Sequence, residues 1–353
     1  MGNNIKSVRV YLTEGEDKNL EAYDHTCLSN VNMCPTWGIL RYVHHKTLSA
    51  NSRALALEAG SAAHDGFAAL RLFQLYHFDK HPELAEYHGR RIFTEPRWKA
   101  IWAASERAVD LRTQAINVTS EALYTGEFYD DPSDRRRTTT NLEELLMAYT
   151  DRWDFERFPV WIRDPSDPIS DVGVEVPFDM VVEYTMEDGS ILKYRFIGKI
   201  DGIHTEVKHN DRVVLHENKT AARMDDAWKN AFHMSHQVTG YLLALSLWCA
   251  ENVDKAYILG TQLPLPRVIS EGIYINRYAR EPHVFAHWFE WFFHTVQVIH
   301  QYKDDIITAP RYSHSCNRYF RSCSFLPICT APDDEKLEII EGMEEDRWSP
   351  LDD

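Results

Sequence analysis

The sequence has no run of 18 apolar residues, so nothing in it is long and apolar enough for a transmembrane helix. Its opening stretch, MGNNIKSVRVYLTEGED, lacks the apolar centre of a secretory signal. These absences lead to the expectation of a soluble, cytoplasmic protein with no membrane partner. Positive charge is also scarce: 38 Lys and Arg stand against 54 Asp and Glu, a net charge of −16. Such a chain is unsuited to coating nucleic acid nonspecifically, and any phosphate contact must be local. No C-x2-C pair and no internal repeat occur.

What is present is globular. Hydrophobic residues make up 44% and aromatics 12% of 353 residues, enough for one large core or two modest domains. Residues 25–45 hold a turn-like SNVN, then Cys34-Pro35, then an apolar run expected to open a short helix. Pro35 suits a first helical turn, where its missing N–H is not needed. From 53 to 78, Leu55, Ala59, Ala62, Ala63, Phe67 and Leu70 recur at helical spacing, and His64 lies among them. Gly60 and Gly66 weaken that helix by about 1 kcal/mol each, unless close packing or a ligand needs bare backbone there.

Residues 80–157 read as several helices interrupted by YDDPSDRRRTTT, expected to be a mobile surface loop. After PSDPISDVG the period becomes that of strands. VEVPFDMVVEYT, ILKYRFIGKIDGIHTEV and RVVLHENKT form a meander with turns at EDGS and KHND. A helix over 225–250, capped by Asp225 or Asp226, leads into the strand KAYILGTQL, which has the order of a crossover unit. An aromatic helix over 283–303, the segment HSCNRYFRSCSFLPICTAP and a solvated acidic tail complete the chain.

The meander concentrates charge at one place. Side chains at i and i+2 share a strand face, so Glu217 and Lys219 point the same way and Asn218 points oppositely. A hairpin with a three-residue loop centred on His209 puts Asp201 opposite Glu217. Two carboxylates about 4 Å apart repel by about 4 kcal/mol at an effective dielectric near 20, so a cation or a proton is expected between them. Oxygen ligands suit Mg2+ or Mn2+, and a nearby Lys suits phosphodiester hydrolysis. Taken alone, an exposed hairpin with scattered charges explains the same letters.

GSAAHDG, IGKIDGI, HENKT and HQVTGYLLAL, in that order, resemble the PD-(D/E)XK nuclease superfamily in its RecB-like and CRISPR-associated exonuclease branch. The resemblance covers about 30–330. It implies an α/β restriction-endonuclease-like core, a mixed central sheet flanked by helices, with a helical insertion and a C-terminal Fe-S segment. It implies that His64, Asp201, Glu217 and the carbonyl of Asn218 ligate the metal and that Lys219 is the catalytic lysine. Gln237 and Tyr241, one turn apart on a helix face, would serve near DNA or that lysine. Glu175, in the preceding strand, is a candidate for a second metal or an outer role, against the reading of a surface strand residue.

Three cysteines sit as C-x6-C-x5-C, with Cys34 near the other end of the chain. Four thiolates suit structural zinc or a [4Fe-4S] cluster, and the missing C-x2-C knuckle favours the cluster. A subset of the same nuclease branch binds such a cluster through one N-terminal and three C-terminal cysteines. By that resemblance the ligands are Cys34, Cys316, Cys323 and Cys329. The x6 spacing is longer than usual there, so His314 or Cys27 could replace Cys316. Cys249 is expected to be an inert buried thiol.

The expected organisation is thus an N-terminal segment at 1–79, a helical insertion at 80–165, a nuclease core at 166–305 and the cluster segment with its tail at 306–353. The expected function is a metal-dependent DNA exonuclease acting on single strands or duplex ends in recombination, repair or replication, alone or beside a helicase or recombinase. A noncatalytic DNA-binding or assembly module that keeps the fold is the alternative. Arg135, Arg136 and Arg137 are candidates for lining a DNA channel, and Trp37, Tyr42 and Trp228 for stacking on bases. A solvated loop and core packing are the plainer readings of these residues.

Overall fold

Alternating apolar residues pair into strands here, and apolar stripes at helical spacing fold onto them. A computed structural model describes residues 5–47, 55–77, 130–153, 157–164, 166–167, 170–209, 211–268, 271–318, 321–347 and 349–351. Its strands are β1 (Ile5–Leu12), β2 (Ala22–Asp24), β3 (Lys46–Thr47), β4 (Val174–Met186), β5 (Ile191–Glu206), β6 (Arg212–Ala221), β7 (Lys255–Gln262), β8 (Ile273–Ala279), β9 (Asn317–Arg318), β10 (Arg321–Ser322) and β11 (Glu344–Glu345). Its helices are α1 (His25–Met33), α2 (Pro35–Gly38), α3 (Leu55–His77), α4 (Thr139–Arg152), α5 (Asp226–Asn230), α6 (His236–Cys249), α7 (Pro282–Tyr302), α8 (Leu326–Thr330) and α9 (Asp333–Glu341). The protein is mixed α/β, with a mostly antiparallel central sheet flanked by helices. Residues 78–129, most of the expected helical insertion, lie outside the described residues.

The chain divides into two compact units, and β4 and β5 each contribute to both. One unit comprises residues 1–53, 177–198 and 281–353. In it β1 pairs antiparallel with β4, Val8 opposite Tyr184, and β2 lies parallel to β5, Tyr23 opposite Phe196. Helix α7 buries Trp288, Phe292, Val296 and Ile299. The Trp288 ring meets Phe196 edge-on at 5.2 Å and stacks on Phe292 at the same distance. Full burial of each large ring contributes about 2–3 kcal/mol.

The other unit comprises residues 54–176 and 199–280. Here β5 and β6 are antiparallel, β6 and β7 parallel, and β7 and β8 antiparallel. The parallel pair is joined through α6, the crossover that the order of strand, helix and strand predicts. Ala59, Ala63, Phe67 and Leu70 of α3 pack with Leu142, Leu145 and Tyr149 of α4 over Val214, Tyr257 and Leu259 of the sheet. At Gly66 a side chain of α4 sits against the bare backbone: a Cβ there would stand 2.4 Å from a Leu146 methyl. Close packing is thus the reason that helix tolerates a glycine.

Several expectations change. SNVN is helical, because the Asp24 carboxylate accepts the Thr26 and Cys27 N–H groups and starts α1 before it; Pro35 then opens α2. The helix expected over 225–250 is two, since Asp225 caps α5 and Ser235 independently caps α6. The β5–β6 loop is longer than three residues, with pairing ending at Glu206 and Arg212 and Val207–His209 forming a 3-10 turn. The acidic tail is not all solvated. Met343 is buried and Ile339 and Ile340 pack with Leu40, Phe325 and Ile328, giving α9 an apolar side despite its charge. Strands β1 and β8 complete the sheet where no element was expected.

Residues 130–138 form turns closed by their own side chains. Asp131 accepts from Ser133, Asp134 accepts from the Arg136 and Arg137 N–H groups, and Arg137 pairs with Asp134 at 2.5 Å. The Arg135 and Arg136 carbonyls both accept from the Asn141 amide.

Candidate active site

The site grows from the end of the β5–β6 ladder. The hairpin is centred on His209 as expected, and its last regular pair is Gly202 opposite His216. Beyond it the Asp201 carboxylate reaches across: Oδ2 accepts the Asn218 N–H at 2.8 Å. On β6, the Lys219 ammonium donates to Glu217 Oε1 at 2.6 Å, and Glu217 is 1% exposed. Glu217 and Lys219 are therefore bonded to each other, while Asp201, expected opposite Glu217, bonds the main chain of Asn218 instead.

Helix α3 supplies two further side chains from one face, seven residues apart. His64 Nδ1 lies 3.4 Å from Asp201 Oδ1. Arg71, fully buried, donates from Nη1 to the Asp201 carbonyl at 2.6 Å. Asp201 is thus held by side chain and by main chain from the same helix, and the sequence reading missed the second grip. An arginine among Leu70, Leu72 and Phe67 was the available signal, since a buried guanidinium needs a partner.

Glu175 is the other correction. Among the described residues, His64, Glu175 and Asp201 bring ligand atoms within 4.8 Å of one another. Glu175 is half-buried between the buried Val174 and Val176, so it is not a surface strand residue. Its φ of +46° is in the left-handed region, rarely adopted by a side chain of this size, and such strain concentrates at functional sites. Glu217 stands outside this tight set but next to it, where its charge and that of Asp201 oppose each other.

The electrostatics show a site short of positive charge. Burial raises the pKa of Glu175 and then of Glu217, and the Asp201 charge raises both further. Burial would also raise Asp201, but His64, Lys219 and Arg71 outweigh it and hold that carboxyl below its usual range. Burial disfavours the Lys219 ammonium, yet Glu217 and Asp201 keep its pKa above the ordinary value. Glu175 Oε1 and Glu217 Oε2 are buried with no hydrogen-bond partner. Three carboxyls, one imidazole and two orphaned oxygens fit a hard divalent cation of the Mg2+ or Mn2+ class.

Gln237 and Tyr241 lie on α6, which packs on β6 and β7, and Gln237 Nε2 is 3.3 Å from the Tyr241 hydroxyl. Trp228 packs edge-on against Phe232 and Tyr274, and Trp37 packs at the Leu40 cluster, which is the plainer role weighed for each. Tyr42 lines a cavity of about 420 Å³ with Tyr23, Cys27 and Lys303.

The four candidate cluster cysteines and Cys27 lie in the other unit, and Cys249 ends α6. Cys34 precedes α2, Cys323 N–H donates to the Cys316 carbonyl at 2.8 Å across the β9–β10 turn, and Cys329 is on α8. Burial raises the Cys329 thiol, Arg311 opposes it, and Cys34, Cys323 and Cys316 raise it further. Cys323 likewise feels Cys34 and Cys316 after burial. No three of these sulfurs converge within 4.8 Å among the described residues. Cys27 is buried beside Asp24, and His314 stacks on Tyr312. Cys249 is half-buried, not fully enclosed, and burial pushes its thiol up to about 12.

Among the described residues no helix is long and apolar enough to cross a membrane. No family model matches the chain, and no curated protein matches it.

Proposed function

We propose that this protein is a metal-dependent deoxyribonuclease of the PD-(D/E)XK type, an exonuclease that hydrolyses phosphodiester bonds at single strands or duplex ends. The observation that carries the reading is the meeting of His64, Glu175 and Asp201 within 4.8 Å, beside a buried Glu217–Lys219 pair on the adjacent strand. His64, Asp201, Glu175 and Glu217 would hold the ion, with the Asn218 carbonyl by resemblance. Mg2+ or Mn2+ bound there supplies Lewis acidity toward a phosphoryl oxygen and toward water.

The protein's own groups do the rest. Glu217 and Asp201 favour the charged form of Lys219, which suits a hydrogen-bond donor to the scissile phosphate or its attacking water. Glu217 fixes that ammonium through the 2.6 Å bond. Gln237 and Tyr241 present a neutral amide and hydroxyl suited to the sugar-phosphate backbone. Cys34, Cys316, Cys323 and Cys329 would hold a [4Fe-4S] cluster as a staple between distant parts of the chain. The net charge of −16 favours a helicase or recombinase partner that supplies DNA affinity.

Purified protein, end-labelled single- and double-stranded DNA and Mn2+, with Lys219→Ala alongside, test the proposal. Cleavage by the wild type and its loss in the variant support it. Absence of cleavage by the wild type in every divalent metal overturns it and favours the noncatalytic binding module.

A further inference from the structure

Helix α7 has two contrasting faces. The inner face carries the buried Val284, Trp288, Phe292, Val296 and Ile299. On the opposite face His283, His287, Glu290 and His294 follow one another at spacings of four, three and four, and all are exposed. An exposed helix face is ordinarily filled with Lys, Glu, Gln or Arg, which favour the helix and stay solvated. Imidazoles contribute less to helix formation, and they are the side chain best suited to zinc, nickel and copper.

The geometry adds a second observation. His287 Nδ1 lies 3.8 Å from the Glu290 carboxylate one turn further on. At that distance the carboxylate is beyond hydrogen-bond reach and acts on the imidazole as a nearby negative charge, which favours a cation beside it. The His283 ring stands 6.3 Å from that of His287, centroid to centroid and nearly perpendicular. Two imidazoles one turn apart can share an ion at bond lengths of about 2.0–2.1 Å after a side-chain rotation. Pro282 at the first helical position presets the backbone beside His283, in the first turn of the helix. The positive helix N-terminus opposes a cation here, and Glu290 offsets that repulsion.

We propose that His283 and His287 form a surface site for one divalent transition-metal ion of the zinc and nickel class, with the Glu290 carboxylate as the negative charge beside it. The site lies in a different unit from the carboxylate centre and stands whether or not the nuclease reading holds. Coordination positions left open by the two imidazoles are free for water or for a ligand from another macromolecule.

Ni2+ is the probe, added to the full protein in excess Mg2+ and followed by equilibrium dialysis and by thermal melting. The wild type is expected to bind one more Ni2+ per chain than the His283→Ala/His287→Ala variant, and Ni2+ is expected to raise the melting temperature of the wild type alone. Glu290→Gln is expected to keep that ion but to weaken its binding roughly 10-fold. Equal stoichiometry in wild type and double variant overturns the site. Equal affinity in the wild type and Glu290→Gln overturns the role given to Glu290.

Discussion

The Asp201 carboxylate accepts the main-chain N–H of Asn218 at 2.8 Å, where the β5–β6 ladder has just ended. One carboxylate oxygen thus replaces a strand partner and the other faces His64. Asp201→Asn keeps an oxygen for the Asn218 N–H but removes the charge. The variant is expected to melt near the wild type while Mn2+-dependent cleavage falls by about 100-fold or more. Cleavage at the wild-type rate would remove Asp201 from the centre.

Glu175 separates two versions of the site. If it belongs to the ligand set, Glu175→Gln weakens Mn2+ binding by about 10-fold or more in calorimetric titration. An unchanged affinity would leave the ion to Asp201 and Glu217, as the hairpin alone suggested.

Gly202 and Arg71 form a steric pair. A Cβ at 202 would stand 2.9 Å from Arg71 Cζ and 3.1 Å from His204 Nε2. Gly202→Ala is therefore expected to cost about 2 kcal/mol in urea denaturation. Adding Arg71→Met shortens the obstructing group, so the double variant should be more stable than the sum of the two single losses predicts. Simple additivity would show that the backbone, not Arg71, demands the glycine.

His204 makes stability depend on pH. It is buried, its Nδ1 is 2.8 Å from the Phe158 carbonyl, and burial followed by the Arg71 charge lowers its pKa to about 3. The unfolded chain takes up this proton near the ordinary imidazole value of about 6.5, whereas the folded chain refuses it until about 3. Between those values the unfolded state binds more protons, so stability is full above the window and falls as pH drops through it. Urea denaturation at several pH values should show this slope, and His204→Gln should flatten it. An equal slope in the variant would place the acid sensitivity elsewhere.

The cysteine assignment has a visible readout. Anaerobically purified protein is expected to be brown, and Cys329→Ser to lose the colour and melt lower. Colourless wild type carrying one equivalent of zinc would replace the cluster with a single-ion site.

Much of this was readable in one dimension because its causes are local. Turn chemistry at KHND placed the β5–β6 hairpin about His209, and period-2 alternation aligned Glu217 with Lys219. Helical spacing put His64 on α3, and the order of strand, helix and strand implied the parallel β6–β7 pair. Cap chemistry was partly legible: Asp225 was named as a cap, but Ser235, which restarts the helix, was not. Glu175 was legible only as an outside candidate, and Arg71 not at all, for a different reason. Each is one polar residue in an apolar stretch, and its use depends on which surfaces pack together, not on its neighbours in sequence.

Local spacing along the chain therefore determined the pieces: strands, a charged hairpin, a histidine on a helix and a split set of cysteines. Tertiary packing alone decided which carboxyls come together with His64. The left-handed turn of the backbone at Glu175 and the burial of α3 against the sheet bring together groups more than a hundred residues apart, and no short-range periodicity encodes such contacts.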